Sequence, residues 1–211
     1  TLGHIARVVP LGIPALRSLG LARIAAIGGD APAPLGAVGR MAEASAGKDS
    51  VTGHWEMAGV VLDRAFPTFP HGFPPELMRE FERRIGRPTI GNLPASGTVI
   101  IAERGAEHVR TGAPIVYTSA DSVFQIAAHE GVIPIADQYA MCGVAFELVA
   151  RGLGVARVIA RPFVGEPGHF VRTSNRRDFA LDPTGPTLLD RLKAAGHAVV
   201  GIGKIEDLFA G

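Results

Sequence analysis

Residues 47–56 read GKDSVTGHWE, and nearly every one is small, polar or ionisable. In a chain that is 47% hydrophobic, such a run is either a loop entering a helix or the carrier of a reactive hydroxyl. A helix is expected from Ser50, because Val51, Trp55, Ala58 and Leu62 fall on one face. At a helix N-terminus the backbone N–H groups and the helix dipole favour an anion. Ser50 is therefore well set to carry a phosphoryl group, given activation by a general base or a metal. The alternative stands beside it: Ser50 or Thr52 is only the N-cap, and His54, Trp55 and Glu56 are ordinary first-turn residues.

A second group is rich in arginine. Arg157, Arg161, Arg172, Arg176 and Arg177 fall close together, and the planar guanidinium fork suits phosphate. Arg157 and Arg161 are four apart, so in one strand they share a face, which is then a site or a solvated charge face. Asp121 follows an apolar run, where α/β folds place ligand-contacting groups, or else it caps a helix. Lys204 reads in the same two ways.

Familiar phosphate and metal motifs are excluded. A P-loop needs glycine where Ala42 stands, and Asp49 separates Lys48 from the hydroxyl. GIGKIE carries Glu206 where a dinucleotide fingerprint needs its third glycine. His129-Glu130 is no zincin motif, because Ile133 occupies the second histidine position. No Cys or His cluster has structural-zinc spacing.

The elements that must position these residues alternate, which indicates an α/β protein. Short helical pieces are expected over 10–24 and loop over 25–40. AFPTFPHGFPPE, 65–76, reads as a surface-packed hinge, and 76–86 as an amphipathic helix stopped by Gly86. GNLPASGTVII reads as a loop entering a helix or strand. A strand is expected over 115–121, then a helix through SVFQIAAHEGV with Ser122 and Gln125 as capping box. A longer helix follows over 136–151, a strand over 156–165, a helix over 187–197, and a strand over 198–205 that delivers Lys204.

Composition narrows the class further. A net charge of +1 gives no global field for nucleic acid or membrane, and 6% aromatics are too few for a base-stacking surface. The single Cys142 excludes an internal disulfide and suits a reducing cytosol, so a cytoplasmic location is expected. There is no signal-peptide pattern, and no apolar run reaches the length of a membrane span. No nucleic-acid or membrane partner is expected, and the chain is expected to be a monomer.

GKDSVTGHWEMAG, FPTFPHGFP, GNLPASGT, YTSADSVFQIAAHE, RVIARPFVGEPGHFVRTSNRRDFAL and IGKIEDLF, in this order, resemble the phosphopentomutases. That family belongs to the alkaline-phosphatase superfamily. The resemblance runs from Thr1 to Gly211. It implies an enzyme, an isomerase, that moves phosphate between C1 and C5 of ribose or 2-deoxyribose. It further implies two manganese ions, a sugar bisphosphate activator, and a phosphorylated hydroxyl as catalytic residue. The matching position is Ser50, where the family usually has threonine; Ser50 is also implied as a metal ligand through its oxygen. Thr52 is the fallback. Pentose-phosphate contacts map onto Asp121, Arg157, Ile159, Arg172 and Lys204, of which Ile159 would otherwise read as core. The implied fold is a partial alkaline-phosphatase-like core over 1–63, an α/β cap domain over 64–183, and a return to the core over 184–211. The competing readings are a metal-dependent phosphatase or phosphoglycerate mutase of the same superfamily, and a non-catalytic phosphosugar-binding module.

Family members also carry an earlier strand ending in a metal-binding aspartate, and later aspartates and histidines that complete both metal sites. The seven histidines here are single and dispersed, and no Asp-His pair occurs. The chain is therefore expected to be an interior fragment that alone neither binds two metals tightly nor turns over. Mutase activity of the purified chain above a Ser50→Ala control would contradict this.

Overall fold

The computed structural model describes residues 1–210, which form two compact units, Thr1–Glu43 and the described residues from Ala44 onward. The first unit contains helices α1 (Leu2–Val8), α2 (Pro14–Ser18) and α3 (Leu21–Ile24). Polar ties hold much of it: Arg17 donates to the carbonyls of Ile27, Gly28 and Asp30, and Arg40 donates twice to that of Ile24. The short helical pieces over 10–24 and the loop after them match the expectation. The helix α1 had no counterpart in the pattern; Thr1 caps it by accepting from the His4 amide.

The second unit is a mixed sheet with helices on both faces, an α/β arrangement. Its strands are β1 (Ile90–Pro94), β2 (Ile115–Thr118), β3 (Val123–His129), β4 (Arg157–Val164), β5 (Val171–Arg172) and β6 (Arg177–Ala180). The order is β1-β2-β3-β4-β5, with β6 also pairing β4. β1–β2 and β3–β4 run parallel; β2–β3, β4–β5 and β4–β6 run antiparallel. The helices are α4 (Ser50–Met57), α5 (Pro75–Ile85), α6 (Gly97–Thr111), α7 (Ile135–Ala145), α8 (Leu188–Ala194) and α9 (Ile205–Leu208).

Pleat alternation separates the two faces of the sheet. Val116, Phe124, Ile126, Val158 and Ala160 point to one side and pack with Met78 and Phe81 of α5 and Met141 and Cys142 of α7. On the other side Ile115, Tyr117, Ala127 and Phe163 pack with Ile100 and Ile101 of α6. A smaller cluster joins Val51 and Trp55 of α4 to Ala156 and Leu208, and the Trp55 indole donates to the Leu208 carbonyl at 2.9 Å.

Two expected elements are overturned. Residues 122–132 were expected to be helical, yet Val123–His129 is the central strand β3. Its Val, Phe and Ile are good strand formers, and pairing with β2 and β4 buries them on both faces. The two residues of the supposed capping box serve strand neighbours instead. Ser122 Oγ accepts from the Ala156 amide, and Gln125 Oε1 accepts from Arg161. Residues 198–205 were expected to form a strand, but 197–203 adopt neither helix nor strand. Gly201 and Gly203 interrupt the run, and Val200 and Ile202 are exposed.

Other differences are of extent. The strand over 115–121 ends at Thr118, and α4 ends at Met57, before Ala58 and Leu62. The helix over 136–151 is α-helical to Ala145 and then a π-helical turn, Phe146–Arg151. The helix stopped by Gly86 is present, with Gly86 left-handed at φ 69°. Phe124 is fully buried, with its ring 4.6 Å from that of Phe73 and 5.2 Å from that of Phe81. Phe124→Ala is expected to cost about 3–5 kcal/mol, read as a lower urea midpoint; a change below about 1 kcal/mol would contradict this packing.

Candidate functional site

Ser50 is the first residue of α4, but it is not the cap. Asp49 is: its Oδ1 accepts from the Val51 amide at 2.7 Å. Aspartate is among the best N-cap residues, so the signal was present one position before the serine. The other oxygen, Oδ2, accepts from the Ser122 amide at 2.7 Å, 73 residues away. One carboxylate thus joins the start of α4 to the connection between β2 and β3, which also carries Asp121.

Freed from capping, the Ser50 hydroxyl donates to Asp121 Oδ2 at 3.0 Å. The same oxygen lies 3.5 Å from Arg157 Nη2. Arg157 sits on β4 and its side chain is only 4% exposed. Its Nη1 donates to Asp178 Oδ2 at 2.8 Å, and Asp178, on β6, is completely buried. Arg176 grips Asp178 with two hydrogen bonds, of 2.8 Å and 2.7 Å. A chain of charge-assisted contacts therefore runs Ser50, Asp121, Arg157, Asp178, Arg176.

Parity along β4 puts Arg157, Ile159 and Arg161 on one face, as their spacing predicts for a strand. Ile159 is buried at 2% and pairs with Asp178, so it separates the two arginines on a polar strip of the sheet. Arg161 and Arg172, with Arg176 and Thr173, line a cavity of about 400 Å³. Burial pushes the Arg161 guanidinium down from its ordinary value, which marks a charge held partly out of water.

Of the residues singled out from the sequence, Ser50, Asp121 and Arg157 are brought into contact, and Ile159 adjoins them through β4. Arg172 lies on the cavity with Arg161 and Arg176. Lys204 is exposed at the N-cap of α9 and makes no side-chain hydrogen bond or ion pair among the described residues. Asp178, Asp49 and Gln125 were not picked out as site residues. Asp178 follows two arginines, which hinted at pairing, but its reach to Arg157 depends on β4–β6 register. Cys142 offers no chemistry, since complete burial pushes its thiol far up.

Burial also holds the Asp49 carboxyl above its usual value of 3.8. A raised folded value means this group's contribution to stability is complete below the unfolded value and declines as pH rises through the folded one. The stability of the wild type relative to Asp49→Asn is therefore expected to fall as pH is raised through the range just above 3.8. A pH-independent difference in urea midpoint would contradict that sign.

No family model matches the chain. It is 59% identical over 213 residues to a phosphopentomutase of Caldanaerobacter subterraneus subsp. tengcongensis. It is 57% identical over 214 residues to a phosphopentomutase of Alkaliphilus metalliredigens, and 56% over 214 to one of Dictyoglomus turgidum. Each comparison takes in 100% of this chain and 54% or 55% of the relative. The chain is thus a relative of the phosphopentomutases over its whole length, and it spans about half of theirs.

Proposed function

We propose that this chain carries the nucleophile and the pentose-phosphate-binding face of a phosphopentomutase. The reaction is the interconversion of ribose or deoxyribose 1-phosphate and 5-phosphate. The observation that carries the reading is the Ser50 Oγ–Asp121 Oδ2 hydrogen bond of 3.0 Å, with Arg157 on the same carboxylate oxygen. It brings together a hydroxyl able to accept a phosphoryl group, a carboxylate able to accept from sugar hydroxyls, and a cation able to balance phosphate.

In this reading phospho-Ser50 gives its phosphoryl group to a sugar hydroxyl. The P–Oγ bond breaks, a P–O bond to the sugar forms, the proton of the sugar hydroxyl passes to the serine oxygen, and a bisphosphate results. The bisphosphate turns over and its other phosphoryl group returns to Oγ. Asp121 orients the serine oxygen and holds the sugar, while Arg157 and Arg172 neutralise phosphate oxygens. Residues 64–183 act as the cap that keeps water from the phosphoserine.

Two manganese ions, with Ser50 Oγ as one ligand, belong to the same proposal. The described residues do not complete a site for them, because no three His, Cys, Asp or Glu side chains gather. What this chain supplies is the hydroxyl, its orienting carboxylate and the guanidinium groups. No described helix is long and apolar enough to cross a membrane.

Calorimetric titration with ribose 5-phosphate tests the reading. Arg172→Ala is expected to weaken binding about 10- to 100-fold, the loss of a charge-assisted hydrogen bond. Unchanged affinity would remove Arg172 from the binding face.

A further inference from the structure

Tyr117 sits on β2, completely buried, and its hydroxyl has no hydrogen-bond partner. Buried polar groups are nearly always paired, so an orphan of this kind calls for a ligand or a reason. The hydroxyl points at the start of α6. A Cβ built on Gly97 would fall 2.6 Å from it, closer than to any other atom of the ring. A side chain at position 97 would collide with the hydroxyl, so glycine is what lets the two come close.

The start of α6 is itself uncapped. Ser96 occupies the N-cap without a side-chain hydrogen bond, and the helix runs fifteen residues from Gly97. The first helical bond is donated by the Ile100 amide to the Ser96 carbonyl. The amides of Gly97, Thr98 and Val99 therefore have no partner within the helix. Ser96 and Thr98, on either side of Gly97, are exposed.

The other side of Tyr117 leads to positive charge. Tyr117 stands opposite Gln125 in the β2–β3 register, and both side chains share one sheet face. Gln125 Oε1 accepts from Arg161 Nε at 3.2 Å. Arg161 has no carboxylate partner among the described residues, and it lines the cavity with Arg172 and Arg176. The charges of these three arginines act on the Tyr117 hydroxyl and oppose its burial-driven rise in pKa. Arg176 is paired with Asp178, while Arg161 and Arg172 form no ion pair among the described residues.

We propose that the Tyr117 hydroxyl and the first amides of α6 form, with Arg161, an anion site that takes a phosphate monoester. The hydroxyl donates to one phosphate oxygen, the Gly97 and Thr98 amides to another, and Arg161 supplies the charge. That the phosphate belongs to a sugar rests on the reading above; the site itself does not.

The hydroxyl makes no bond within the protein, so Tyr117→Phe should fold as the wild type does. Calorimetric titration with inorganic phosphate, then with ribose 5-phosphate, is run on both. Tyr117→Phe is expected to weaken inorganic phosphate about tenfold, about the worth of one hydrogen bond to a charged group. In ¹H–¹⁵N spectra of the wild type, the Gly97 and Thr98 amides should move saturably as phosphate is added. Equal phosphate affinity in the two proteins, no phosphate binding to the wild type, or stationary Gly97 and Thr98 amides would each overturn the site. If phosphate binds through Tyr117 but ribose 5-phosphate does not bind, the anion site stands and the pentose-phosphate reading falls.

Discussion

A guanidinium buried on a central strand cannot stand alone, and the arrangement of the site depends on how Arg157 is balanced. Removing either partner of a buried ion pair leaves an uncompensated charge, which is far costlier than the pair itself is stabilising. Arg157 is therefore bound to be held by acids on both sides. Asp178 of β6 takes one nitrogen and Asp121 of the β2–β3 connection faces the other. Because Asp178 also takes Arg176, the position of one side chain fixes the next. Ser50 is last in that line, its hydroxyl oriented by Asp121. The Asp49 carboxylate then sets the distance between the two segments by bonding an amide in each.

This accounting also explains why one face of the sheet is only partly apolar. On the side facing α5 and α7, the strands present Phe124, Ile126, Val158 and Ala160, and the helices cover them. On the other side α6 covers Ile115, Ala127 and Phe163, while Gln125, Arg157 and Arg161 occupy the remainder. Such groups stay on a sheet face only where hydrogen bonds or a ligand satisfy them. Gln125, Asp178 and Asp121 satisfy part of the demand. The unmet remainder includes the Tyr117 hydroxyl and Arg157 Nε, both buried without a partner, and the free side of Arg161, which borders the cavity.

Much of this was legible in the residues themselves. The helix at Ser50, the stop at Gly86, the strand over 156–165 and the shared face of Arg157 and Arg161 all follow from local pattern. The order of motifs pointed to the phosphopentomutases, and the comparisons agree over the whole chain. The failures have a common cause. Ser122 and Gln125 sit at capping-box spacing, and the Ala-rich run after them suits a helix, so local preference alone favoured one there. The pairing of β3 with β2 and β4 overrode it, because a hydrogen-bonded neighbour on each side outweighs a few tenths of a kcal/mol per residue of propensity. At 198–205 the alternation looked like a strand, but glycines and the lack of a pairing partner among the described residues left none.

The sequence by itself determined which residues can do chemistry here: a hydroxyl beside a helix start, an aspartate after an apolar run, and two arginines four residues apart along a strand. Residue type fixes charge and donor count, and strand or helix period fixes the face, so those conclusions need no fold. Only the tertiary structure decided which of them meet. Ser50, Asp121, Arg157 and Asp178 are joined across separations of up to 71 residues by strand order and register. The role of Tyr117 was likewise invisible, since an unpaired hydroxyl is defined by the neighbours it lacks, and neighbours are set by packing rather than by sequence position.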